Sequence, residues 1–133
     1  MEVLILVKWQ GAAGICLNVD NQLLMVLQGT KEEVKTWAVP SGGIEATENF
    51  EACCIREVYE ETGFVVDIVR EVLRKNNDVV EVRYFETIIT GGQMTIHDPD
   101  ELIYEIAWKS KDDLLDLILS FPEDRQFLLS LFQ

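Results

Sequence analysis

Residues 42–64 constrain the fold more than any other stretch of this chain. A Ser41-Gly42-Gly43 loop opens it, a charged amphipathic segment follows, and Gly63 closes it. Glycine admits backbone angles that other residues resist, which suits it to the entry loop and to a helix stop. Phe50, Cys54 and Val58 recur at four-residue spacing, with Ala52, Ile55 and Tyr59 close by, so a helix here has one apolar face. The spacing predicts a helix from about Glu48 to Thr62, with Thr47 as its N-cap. Glu48 and Glu51 then fall in the first turns, where the helix dipole favours negative charge.

Extended segments surround this helix. Val3 to Trp9, Gly11 to Val19 and Leu23 to Leu27 read as strands, with turn chemistry at Asp20-Asn21. Gly29 to Lys35 reads as a loop, and Trp37 to Pro40 as a short extended piece. Phe64 to Leu73 and Val79 to Thr90 are rich in β-branched residues and read as two further strands. Gly91-Gly92 reads as a turn, after which Gln93 to His97 continues the hairpin. Leu102 to Trp108 is the last strand, and Asp112 to Leu119 and Glu123 to Phe132 are helices parted by Phe121-Pro122. The expected class is α+β, a mixed β-sheet flanked by helices, with 1–133 as a single domain.

The formal net charge of −13 excludes some functions. A duplex-binding protein needs a basic footprint, and this chain has none. Anionic membrane surfaces are disfavoured for the same reason. An acidic protein that handles an anionic ligand must neutralise charge locally, most simply with a divalent cation. Cys16, Cys53 and Cys54 form no disulfide framework and lack metal-binding spacing, so they read as small apolar residues. Val3 to Val7 lacks a basic leader and a cleavage site and is too short to span a bilayer, so a cytoplasmic protein is expected.

Glu57, Glu60 and Glu61 lie at i, i+3 and i+4, which gathers three carboxylates on one helix face. At an effective dielectric near 20 and a separation of about 5 Å, each like-charged pair costs roughly 3 kcal/mol. Such a face is either solvated or built to hold a hard cation. Arg56 stands four residues before Glu60, at the edge of that face.

The constellation resembles the Nudix box, the signature of the Nudix hydrolases. Gly42, Glu48, Arg56, Glu57, Val58, Glu60, Glu61, Gly63 and Phe64 occupy all of its specified positions. Ser41 and Thr47 stand where many members carry glycine, outside the fixed pattern. The resemblance implies an α/β/α sandwich and hydrolysis of the pyrophosphate linkage in a nucleoside diphosphate derivative. It implies Mg²⁺, with Mn²⁺ as a substitute, held by Glu57, Glu60, Glu61 and the backbone carbonyl of Gly42. Arg56 and Glu48 are expected to pair and orient those carboxylates. A carboxylate must take a proton from the attacking water. Glu57 is one candidate, and Glu105 or Glu101, from outside the box, are the others, with Glu105 favoured.

Other residues select less. His97, before Asp98-Pro99, reads as a surface residue, and Trp37 as core rather than a base-stacking platform. Lys8, Lys31, Lys35 and Arg83 are equal candidates for phosphate or ribose contact. Relatives that act on ADP-ribose or dinucleoside polyphosphates carry extra signatures after the box. Val65 to Asp98 has no proline, and Val80 and Glu81 stand where the second type has tyrosine. A nucleoside triphosphate pyrophosphohydrolase is therefore the default. The alternative is a catalytically silent Nudix domain that binds a nucleotide as sensor or scaffold. The resemblance also allows a homodimer.

Overall fold

The computed structural model describes residues 8–133. Residues 3–7 of the expected first strand lie outside the described residues, and Trp9 opens β1 (Trp9–Ile15). Asn18 closes the turn to β2 (Leu23–Gln28), its side chain accepting the amides of Asp20 and Gln22 at 3.0 and 2.9 Å. Pro40 separates β3 (Thr36–Ala38) from β4 (Ser41–Gly43). Helix α1 (Phe50–Thr62) follows, then the long hairpin of β5 (Phe64–Asn76) and β6 (Val80–Gly92), then β7 (Ile103–Lys109). Two short helices end the chain, α2 (Lys111–Asp116) and α3 (Arg125–Ser130), with a 3-10 turn at Pro122–Asp124 before the second.

The strands form two sheets. One has the order β4-β1-β6-β5, with β1 and β6 parallel and the other pairs antiparallel; the other, β3-β2-β7, is wholly antiparallel. The fold is thus the α+β sandwich expected, a mixed sheet flanked by helices. Neighbouring residues of β1 face opposite layers. Ala12 packs with Cys53, Cys54, Val58 and Phe85 beneath α1. Ala13 and Ile15 pack with Leu23, Met25, Tyr84, Leu114 and Leu128 on the other side. Gly14 lets α1 sit close, since a Cβ there would fall 2.5 Å from Val58 Cγ2.

Three local expectations need correction. The N-cap is Asn49, whose side chain accepts the Ala52 amide at 2.8 Å, and not Thr47. Glu48 therefore stands before the helix, in a turn where its amide donates to Glu45 O. Gly91-Gly92 is not a turn but the end of β6, opposite Val65 and Phe64. Gly92 is needed there for close approach: its φ is 76°, and a Cβ would fall 2.2 Å from Gly63 O. Gln93 to His97 does not extend the hairpin. It runs along the end of α1, where the amides of Thr95 and His97 donate to Thr62 O and Glu60 O at 2.8 Å each.

The three cysteines are buried and free, as expected. Burial pushes the Cys53 thiol up to about 11 and the Cys54 thiol up to about 12, so both stay protonated and apolar. Among the described residues no helix is long and apolar enough to cross a membrane.

Candidate active site

Strand β4 and helix α1 build the site between them. Gly42 pairs with Ala12 on β1 and faces the helix. A Cβ at Gly42 would fall 2.3 Å from Glu57 Cδ and 2.4 and 2.5 Å from its two carboxylate oxygens. The φ of Gly42 is not positive, so space for Glu57, not unusual backbone geometry, requires glycine here.

Arg56 ties the cluster together. Its Nε and Nη2 donate to the two carboxylate oxygens of Glu48 at 2.6 and 2.9 Å. Nη2 also donates to Gly43 O at 2.9 Å, while Nη1 donates to Glu57 Oε1 at 2.8 Å and Glu60 Oε2 at 3.2 Å. One guanidinium thus fixes the entry loop and two helix carboxylates, a task suited to its rigid fork of donors. The bond from Arg56 holds the Glu48 carboxyl below its usual range.

Glu57 and Glu61 are pushed the other way. Burial, with further repulsion from Glu60 and Asp100, outweighs Arg56 and lifts Glu57 to about 7. Glu61 is only 7% exposed, and burial followed by repulsion from Glu57 raises it well above the usual carboxylate value. The Ser41 amide donates to Glu61 Oε1 at 3.1 Å and opposes that shift. A buried carboxylate, Glu61, and a half-buried one, Glu57, both short of positive charge, are a donor set that fits a hard cation. Among the described residues no group of three or more His, Cys, Asp or Glu side chains is arranged to hold a metal ion by itself. Magnesium usually keeps several waters and shares substrate oxygens, so it needs fewer protein ligands.

The structure therefore brings Gly42, Glu48, Arg56, Glu57, Glu60 and Glu61 together. Glu105 is exposed on β7 opposite Leu27, and Glu101 is exposed just before β7 with φ 56°; neither bonds to the helix carboxylates. The loop acids that act on the helix carboxylates are instead Asp100, on Glu57, and Asp98, on Glu61. Asp98 also orders its loop by accepting the amides of Asp100, Leu102 and Ile103. His97 anchors the same loop, its ring stacked on Tyr59 at 5.0 Å. An acidic Asp98-Pro99-Asp100 between two strands was the available signal.

Several candidate cations are engaged in the fold. Lys8 bonds Asn76; Lys35 donates to Thr30 O and Glu33 O and lies 4.8 Å from the Tyr104 ring centroid; Arg83 pairs with Glu81 over the Phe50 ring. Trp37 is half-buried beneath Lys109, which lies 4.1 Å from its ring centroid, in line with a structural role.

Sequence reasoning missed a cavity of about 350 Å³ that shares Ser41 and Gly42 with the carboxylate cluster. Its walls are mostly apolar and include Trp9, Val80, Val82, Tyr84 and Phe121, with Lys75 and Glu123 at one corner. Trp9 and Phe121 are half-exposed at 51% and 43%. The Trp9 ring lies over bare backbone, since a Cβ at Gly11 would fall 2.5 Å from it and one at Gly43 3.3 Å. The period-two pattern of Val80, Val82 and Tyr84 was the legible part of this wall. Two other hollows, of about 400 and 410 Å³, are lined by neither Ser41 nor Gly42.

The NUDIX domain model matches residues 8–131. The chain belongs to the Nudix family. A Caenorhabditis elegans protein whose name places it among nudix hydrolases is 32% identical over 96 residues, covering 71% of this chain and 26% of that protein. A Mycolicibacterium smegmatis protein named 8-oxo-(d)GTP phosphatase is 27% identical over 96 residues, covering 69% of this chain and 29% of that protein. The Nudix match thus spans less than a third of the length of either curated relative. Among solved structures, one from a study of MutT from Aliivibrio salmonicida and Vibrio cholerae superposes with a TM-score of 0.78. Its identity is 19%, and the match covers 95% of this chain and all of that one. That likeness extends the Nudix assignment to the fold.

Proposed function

We propose that this Nudix chain is a magnesium-dependent pyrophosphohydrolase of nucleoside triphosphates, releasing the nucleoside monophosphate and pyrophosphate. One observation carries the reading: Glu57 is half-buried against Gly42 and joined through Arg56 to Glu48 and Glu60, with Glu61 buried alongside. A silent nucleotide sensor has no need to bury carboxylates this way, because the arrangement costs stability until a cation arrives. The name of the M. smegmatis relative supports a nucleoside triphosphate as substrate.

Glu57, Glu60, Glu61 and the Gly42 carbonyl would hold Mg²⁺, or Mn²⁺ in its place. The bound ion polarises phosphoryl oxygens and makes water more acidic. Arg56 keeps Glu57 and Glu60 in register, and Glu48 keeps Arg56 in register. Glu57 Oε1 is held by Arg56, so its other oxygen, Oε2, is the one offered to accept the proton of the attacking water. Of the acids outside the helix, Asp100 is better placed than Glu105 to assist, because it already acts on Glu57. The nucleobase is assigned to the cavity between Trp9 and Phe121, which adjoins Gly42.

The test is release of pyrophosphate and phosphate from nucleoside triphosphates, nucleotide sugars and ADP-ribose with magnesium. Turnover of triphosphates is expected, with loss in chelator and in the Glu60→Gln, Glu61→Gln double variant, which should keep its fold. A folded protein that turns over none of these compounds would overturn the proposal.

A further inference from the structure

The corner of the cavity holds a polar group that the hydrolysis chemistry does not use. Lys75, near the end of β5, has its ammonium 2.6 Å from Asp124 Oδ1 and 3.0 Å from Glu123 Oε1. The Tyr84 hydroxyl donates to Asp124 Oδ2 at 2.5 Å. The ammonium also lies 5.3 Å from the Tyr84 ring centroid and 5.0 Å from that of Phe121. Burial alone would lower the Lys75 ammonium, but its bonds to Asp124, Tyr84 and Glu123 outweigh that and keep it charged.

The partners of Lys75 differ in one respect. Asp124 and Tyr84 are buried, at 4% and 3% exposure, whereas the Glu123 side chain is 61% exposed. An ion pair exposed on one side is weak and readily exchanged, and a buried one is not. Asp124 and Tyr84 therefore anchor Lys75, and Glu123 occupies the donor that can be given up to a ligand. Two carboxylates face one ammonium, so the corner does not favour a phosphate. A neutral acceptor suits it, and the apolar walls suit a flat ring.

We propose that Lys75 is a specificity-determining residue: its ammonium donates to a carbonyl oxygen on the substrate's base and displaces Glu123, so that keto purines are favoured over adenine. Adenine presents an amino group where hypoxanthine and guanine present that oxygen, and an amino group offers a second donor to a donor. The inference rests on assigning the nucleobase to this cavity.

The experiment compares kcat/KM for inosine and adenosine triphosphates, which differ in that 6-position edge, using the whole chain with magnesium. The wild type should favour inosine triphosphate. Lys75→Met should cut the preference roughly ten- to hundredfold, as expected for one hydrogen bond to a charged donor, mainly through inosine triphosphate. Because Lys75→Met strands Asp124 and can unfold the chain, Glu123→Gln is the second variant. It should lower KM for inosine triphosphate more than for adenosine triphosphate, by a few-fold. Binding of inosine and adenosine monophosphates, followed by tryptophan fluorescence, reads the same preference without turnover. If no triphosphate is hydrolysed but binding still prefers inosine through Lys75, the hydrolase proposal fails and this inference stands. Equal treatment of the two bases by the wild type, or a preference unmoved by both variants, would overturn it.

Discussion

Replacing Glu57 with Gln should stabilise the metal-free protein while destroying its activity. Burial, joined by Glu60 and Asp100, lifts Glu57 to about 7 from the ordinary 4.5. A carboxyl raised in this way contributes stability in full below about pH 4.5, and that contribution is lost as pH rises through about 7. Near pH 8, keeping the group ionised in the folded chain costs about 3 kcal/mol, at about 1.4 kcal/mol per tenfold. Near pH 5.5 the folded chain holds it protonated, and the cost is about 1 kcal/mol. Gln keeps an acceptor for Arg56 and carries no charge. In chelator Glu57→Gln should therefore melt higher than the wild type by on the order of 10 °C near pH 8 and by only a few degrees near pH 5.5. Thermal unfolding followed by circular dichroism at both pH values measures this. Excess magnesium should then raise the wild type and leave the variant little changed, because a ligand that binds only the folded state stabilises it. A variant no more stable than wild type near pH 8, or a gain equal at both pH values, would refute the idea that this carboxylate is ionised at a cost in the folded chain.

Three further outcomes follow from the same geometry. Gly42→Ala must push the Glu57 carboxylate by about 1 Å, so kcat should fall about a hundredfold in a steady-state assay. Arg56→Ala strands Glu48, Glu57 and Glu60 and should cost about 3 kcal/mol in urea unfolding, with Arg56→Lys restoring only part because it lacks the paired donors. Asn49→Ala should cost about 1 kcal/mol as loss of the true N-cap, while Thr47→Ala should stay within about 0.5 kcal/mol.

The parts of the fold written in local periodicity were legible. The apolar stripe of Phe50, Cys54 and Val58, the stop at Gly63 and the three-carboxylate face all depend on residues within a turn or two of each other. What the sequence hid was settled by partners far along the chain. Thr47 and Asn49 are both good caps, and the choice follows the pairing of Glu48 with Arg56, eight residues on, which goes with a Glu48 in the turn before the helix. Gly92 reads as a turn residue until Gly63 is seen against it. The Trp9 cavity needs β1 beside β6, a parallel pairing that joins Trp9 to Val80 and that no short window contains. The course of the loop before β7 depends on Asp98, whose carboxylate gathers three backbone amides that no periodicity announces.

The net charge of −13 takes on a local meaning in this setting. Glu48, Glu57 and Glu60 share the single guanidinium of Arg56, Glu61 receives only a backbone amide, and Asp98 and Asp100 add negative charge from the loop. A surface this acidic can be tolerated where water screens it, but Glu61 is buried and Glu57 half-buried, so water screens them less. Their raised proton affinities follow from that deficit: without a metal, both carboxyls hold a proton more readily than an ordinary glutamate. A divalent cation competes for the same oxygens, so it should bind more tightly as pH rises and fewer protons must leave. The nucleotide brings still more negative charge. In the proposed reaction, cation and substrate therefore favour each other's binding, and neither alone satisfies the site.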